Sequence, residues 1–212
     1  MDRIKEIVAD IDNRIPKPIY FLMGDEPYYI DKISQYISDN VLTEDEKGFN
    51  QMVLYGKETS IEDIVSNAKR FPMMAEKQVV IVKEAQHLSR TIENLTSYAE
   101  NPQPSTVLVF CYKYKKLDKR KKLYKAIQKC GELYESKKLY ENQVGEWIRR
   151  TLSGKKYAIS PKASALLVEF LGTDLSKINN ELSKLMAIVP SASEITPEII
   201  EEHIAISLLN SL

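Results

Sequence analysis

Gly24-Asp-Glu-Pro-Tyr-Tyr-Ile-Asp31 lies between an apolar run and a helical pattern, the place where a chain of this kind would do phosphate chemistry. A phosphate-binding loop of the form GxxxxGK[ST] needs glycine amides to cradle the phosphates, a lysine to neutralise them and a hydroxyl to hold magnesium. Counting from Gly24, Tyr29 stands at the second glycine, Ile30 at the lysine and Asp31 at the hydroxyl. Asp25 and Glu26 add negative charge beside a triphosphate, and Pro27 removes an amide donor. The metal-binding half of the same chemistry belongs at the end of the run Val79–Val82, where an acidic pair would hold the cation and its water. Lys83 and Glu84 stand there instead, and a lysine at a metal-ligand position repels the cation. No substitute lysine is adjacent to the first apolar run in sequence. The chain is therefore expected to bind no nucleotide and to use neither cofactor nor metal, and no catalytic residue is expected in it.

Two other groups of residues can do work of a different kind. Met73 and Met74 sit between a helix ending near Arg70-Phe71-Pro72 and the apolar run Val79–Val82. A turn of this type often tucks a methionine under a sheet, but methionine is also flexible and polarizable and fills irregular pockets on partner proteins. The second group is basic: Lys113, Lys115, Lys116, Lys119, Arg120, Lys121 and Lys122, continued by Lys125 and Lys129, with Asp118 the one acid and Tyr112, Tyr114 and Tyr124 interleaved. Such a run suits non-specific contact with a phosphate backbone. It equally suits a solvated helix face, since Leu123 and Ile127 point one way and lysines the other. Cys111, Cys130, His87 and His203 are too few and too scattered for a disulfide framework, a zinc site or histidine catalysis.

These residues are positioned by an alternation of elements. Ile4, Ile7, Val8 and Ile11 predict a short amphipathic helix, and Ile19–Met23 a strand covered on both faces. Pro27 opens a helix to about Val41, Met52–Tyr55 is a second strand, and Ser60 caps a helix carrying Ile61, Ile64, Val65 and Ala68. Val79–Val82 is a third strand, Ile92–Ala99 a weaker helix, Thr106–Cys111 a fourth strand and Lys119–Lys129 a helix. Leu133–Tyr134 marks a short fifth strand. Alternation of this kind predicts a parallel α/β sheet with helices on both faces. After about residue 140 the strands stop and helical stripes take over. Val144, Trp147, Ile148 and Leu152 form one stripe; Ser160-Pro161, Asp174 and Thr196-Pro197 start further helices.

With 43% hydrophobic and 28% charged residues the chain has an ordinary globular balance, and 30 basic residues against 30 acidic ones single out no partner by global charge. No apolar run approaches the roughly 18 residues that span a bilayer, and the N-terminus lacks a signal-peptide core, so no membrane partner and a cytoplasmic location are expected.

The segments Ile19-Tyr-Phe-Leu-Met-Gly-Asp-Glu-Pro-Tyr-Tyr-Ile30, Arg70 to Glu84 and Leu117-Asp-Lys-Arg-Lys-Lys-Leu123, in that order and spacing, resemble the delta-subunit family of bacterial DNA polymerase III clamp loaders. The resemblance implies a nucleotide-free AAA+-like α/β domain with a five-stranded parallel sheet over 1–140, and an all-α helical lid over 141–212. A third, collar domain that assembles the loader ring has no counterpart here, so the chain is expected to be a fragment. Met73 and Met74 fall where the family carries a hydrophobic plug for the sliding clamp, with Phe71 and Pro72 beside them. The implied function is DNA replication: binding the clamp and helping to open it, with no activity of the subunit's own. A catalytic label would belong to the polymerase complex. Other loader subunits would be met mainly through the collar, and primer-template DNA through the basic stretch. The alternatives are a divergent P-loop NTPase or kinase and a free-standing nucleic-acid-binding module.

Overall fold

In the computed structural model, which describes residues 2–190 and 193–205, the chain divides into two compact units, Met1–Lys137 and Lys138–Leu212. The first opens with helix α1 (Asp2–Asp12), strand β1 (Ile19–Gly24), α2 (Pro27–Asn40), α3 (Glu44–Asn50), β2 (Gln51–Tyr55) and α4 (Ile61–Ala68). It continues with β3 (Gln78–Lys83), two 3-10 turns, α5 (Thr96–Glu100), β4 (Thr106–Lys113), α6 (Lys122–Cys130) and β5 (Glu132–Ser136). The strands form one parallel sheet in the order β2-β3-β4-β1-β5. Both faces are covered, which is why β1, β3 and β4 read as unbroken apolar runs.

Successive side chains along each strand feed opposite cores. Phe21, Met23, Val80, Val82, Leu108 and Phe110 pack with α4, α5 and α6, and Phe21 stacks on Phe110 at 5.4 Å between ring centroids. Tyr20, Leu22, Val79, Ile81, Val107 and Val109 pack with Ile7 and Ile11 of α1 and Ile30, Ile33 and Ile37 of α2. α1 and the connection that follows it are tied to the edge strand by the buried carboxylate of Glu132, which accepts from Arg3 Nε at 2.5 Å and Lys17 Nζ at 2.7 Å.

Three expectations are corrected here. α3 was not anticipated. Its sequence Glu-Asp-Glu-Lys-Gly-Phe-Asn has no apolar stripe, and it forms because Thr43 and Glu46 make a reciprocal capping box. The helix expected from Lys119 begins only at Lys122. Asp118 holds the preceding residues in a turn, accepting from Arg120 N at 2.9 Å through its side chain and from Lys121 N at 3.0 Å through its carbonyl.

The second unit is the third correction, because strands do not stop at 140. α7 (Glu141–Ser153), α8 (Pro161–Leu171), α9 (Leu175–Ile188) and α10 (Pro197–Ile200) bury the expected stripes, but β6 (Ala158–Ile159) and β7 (Glu194–Ile195) pair in parallel between them. Two-residue strands are too short to leave a periodicity, and long-range pairing alone creates them. Ser160 and Asp174 cap α8 and α9 as their positions in the sequence predict. No helix among the described residues is long and apolar enough to cross a membrane.

Candidate functional site

Only Asp25 and Glu26 separate β1 from α2, too little chain to wrap a phosphate. Gly24 has φ +120°, and a Cβ placed on it would lie 2.1 Å from the Ser136 carbonyl oxygen. The glycine thus serves a close approach to β5. Asp25 N donates to Ser136 O at 3.1 Å and Glu26 N to Ser136 Oγ at 3.2 Å. Glu26, only 5% exposed, caps α2 by accepting from Tyr28 N at 3.2 Å. The amides and the positive helix end that hold an anion in a phosphate-binding turn are here occupied by the chain's own oxygens. Ile30 is fully buried under the sheet, Tyr29 packs edge-on against Tyr28, and Asp31 is exposed.

No lysine lies in the turn after β1, yet the fold brings two to it. β4 runs beside β1 with Lys113 level with Gly24, and its continuation carries Lys116 past the turn. Lys113 Nζ lies 2.7 Å from the Asp31 carboxylate, and Lys116 Nζ lies 3.1 Å from Asp25 and 3.0 Å from Glu135. Glu135, then Asp25, raise the pKa of Lys116 by hydrogen bonding to its ammonium. A triphosphate would have to displace these carboxylates. At the end of β3, Lys83 is exposed and Glu84 turns the chain at φ +53°.

The segment between α4 and β3 is held at its roots and turned outward at its tip. Gln78 Nε2 donates to Arg70 O at 2.6 Å and to Thr106 Oγ1 at 2.7 Å, and Lys77 Nζ donates to Pro104 O at 2.8 Å. Met73 is 61% exposed, Met74 fully exposed with φ +53°, Phe71 79% exposed and Pro72 half-buried. The methionines are therefore not tucked under the sheet. Beneath them Asn50, the last residue of α3, bonds the Met73 backbone twice. Its neighbour Phe49 is 75% exposed. Neither residue was singled out from the sequence. The Thr43–Glu46 capping box was the one signal that could have located α3, and nothing marked Phe49 as outward.

The basic stretch splits into two sets. Lys113 and Lys116 are paired as above, Lys115 Nζ donates to Ser89 Oγ at 2.6 Å, and Arg120 folds back onto Asp118 at 2.8 Å. The Arg120 guanidinium holds the Asp118 carboxyl down at about 2. Lys119, Lys121 and Lys122 are exposed, and among the described residues none of them makes an ion pair.

A five-stranded parallel sheet in this order, with a short strand-to-helix turn at the carboxyl end of β1, is an AAA+-like α/β fold. It matches the RuvB Holliday junction branch migration motor of Thermotoga maritima with TM-score 0.53 over 97% of this chain and 69% of that one, a likeness of fold alone at 16% identity. The DNA clamp loader delta protein of Bacillus subtilis matches with TM-score 0.74 and 26% identity over 95% of this chain and 62% of that one. The Bacillus subtilis DNA polymerase III subunit delta is 30% identical over 200 residues. A family model described as DNA polymerase III, delta subunit, matches residues 20–137, and the chain belongs to that family. That match covers 90% of this chain but 58% of the length of the curated Bacillus subtilis relative.

Proposed function

We propose that this chain is the clamp-gripping part of a delta subunit: it binds the sliding clamp through Met73 and Met74, with Phe71 and Pro72 beside them, and helps to open it during DNA replication in the cytoplasm. The observation that carries the reading is the outward Met73–Met74 pair on a loop rooted at both ends. Two exposed methionines buried in a partner's groove are worth roughly 3–6 kcal/mol before ordering costs. Contacts made better to an opened clamp interface than to a closed one shift that equilibrium without any chemistry in this subunit. Assembly with the other loader subunits would rest mainly on the collar domain that the family resemblance implies. Lys119, Lys121 and Lys122 are free to meet the DNA backbone, a contact that positions without reading sequence. Immobilised cognate clamp should capture the protein stoichiometrically. Capture no better than that of an unrelated protein would overturn the assignment.

No nucleotide is required by this mechanism. With the turn amides committed to Ser136 and both neighbouring lysines paired, titration calorimetry with ATP and magnesium should show no binding tighter than about 0.1 mM, near 5.5 kcal/mol. A tighter constant would instead favour the divergent NTPase or kinase.

A further inference from the structure

We propose that Asn50 is the positioning residue of the clamp-contact loop, a role that rests on the clamp-contact reading of Met73 and Met74. Asn50 is 5% exposed, and its carboxamide meets a single residue of the loop with both its oxygen and its nitrogen. Met73 N donates to Asn50 Oδ1 at 2.7 Å, and Asn50 Nδ2 donates to Met73 O at 2.9 Å. Nδ2 also donates to Glu46 O at 3.2 Å, within α3. This is the pattern of a strand bridge made by a side chain, and it requires a group that accepts and donates on the same edge.

The consequence falls on the next residue. Met74 sits in the left-handed region at φ +53°, where a side chain with a Cβ rarely rests unless its surroundings hold it. With Met73 fixed on both backbone groups, the turn at Met74 is set before any partner arrives, and both side chains are presented to solvent. The loop has neither helix nor strand to hold its tip. Without Asn50 it would sample many conformations, and the apparent affinity would fall with the fraction that is competent to bind. Asn50 itself, nearly buried, has little surface to offer a partner, so it acts through Met73 and Met74.

The test compares Asn50→Ala, the near-isosteric Asn50→Asp, and Met73→Ala with Met74→Ala, for clamp association and dissociation rates. Asn50→Asp keeps the acceptor for Met73 N, loses the donor to Met73 O and sets a carboxylate against that carbonyl. Both Asn50 variants should associate about tenfold more slowly, with a smaller change in dissociation, as loss of preorganisation requires. Added to the double methionine variant, Asn50→Asp should change clamp binding no further, whereas a general loss of fold would add its own effect. In the unaltered protein, the Met73 amide should exchange with deuterium at least about tenfold more slowly than those of Met74 and Ala75. Clamp association of Asn50→Asp within about twofold of the unaltered protein refutes the proposal; so does a Met73 amide exchanging as fast as its neighbours. The exchange measurement stands even if an Asn50 substitution prevents folding. Normal binding by the double methionine variant would instead sink the clamp-contact reading itself.

Discussion

Replacing Met73 and Met74 together by alanine should weaken clamp binding by at least about 2 kcal/mol, roughly 30-fold, and leave the melting temperature nearly unchanged. The two halves of this result have separate causes. Met73 is 61% exposed and Met74 fully so, hence truncation opens no cavity in the protein. Met73 keeps its two hydrogen bonds to Asn50 because both use its backbone. Truncation can only remove apolar area that a partner would bury. Core methionines would behave in the opposite way, costing about 2–5 kcal/mol of stability each through the cavities left behind. Thermal unfolding and clamp affinity measured on the same variant separate the two. A large drop in melting temperature with clamp binding intact in the folded fraction would return Met73 and Met74 to the core.

Gly24→Ala should destabilise the first unit by about 3 kcal/mol or more, lowering its melting temperature by about 6–12 °C. The added Cβ would lie 2.1 Å from the Ser136 carbonyl oxygen and 2.7 Å from Ser136 Oγ. The hydroxyl can rotate away, but the carbonyl belongs to the backbone of β5 and accepts from Asp25 N at 3.1 Å. The left-handed strain at φ +120° adds to the clash. β5 would have to peel from β1, taking with it the Glu132 carboxylate that anchors α1 through Arg3 and the connection to β1 through Lys17. A glycine at this φ kept only to admit phosphate would lose just the backbone strain on going to alanine, about 1–2 kcal/mol. A loss no larger than that would therefore mean that the Ser136 contact is not what the glycine serves.

Sequence alone was sufficient wherever the signal is local. The runs Ile19–Met23, Val79–Val82 and Thr106–Cys111 are legible as buried parallel strands because apolar side chains face both ways along them. Ser60, Ser160 and Asp174 announce their helices because a capping oxygen serves amides only two or three residues away. The residues at the positions of a phosphate loop, Tyr29, Ile30 and Asp31, were readable one by one, and so was the family resemblance in the order of the segments that start at Ile19, Arg70 and Leu117.

Tertiary structure decided everything that depends on residues far apart in the chain. Ser136 reaches the β1 turn from 110 residues away to occupy Glu26 N, and Lys113 reaches Asp31 across 82. Lys116 likewise became a neighbour of β1 only because β4 pairs with it in parallel. The short strands β6 and β7 exist only through each other. Whether Met73 and Met74 face a core or a partner was undecidable from their types, since methionine suits both. In the fold both side chains stand exposed, and Asn50, 23 residues upstream, bonds Met73's backbone. Spacing along a chain reports which side chains share a helix or strand face, whereas a hydrogen bond between distant segments depends on how the whole sheet and its helices pack.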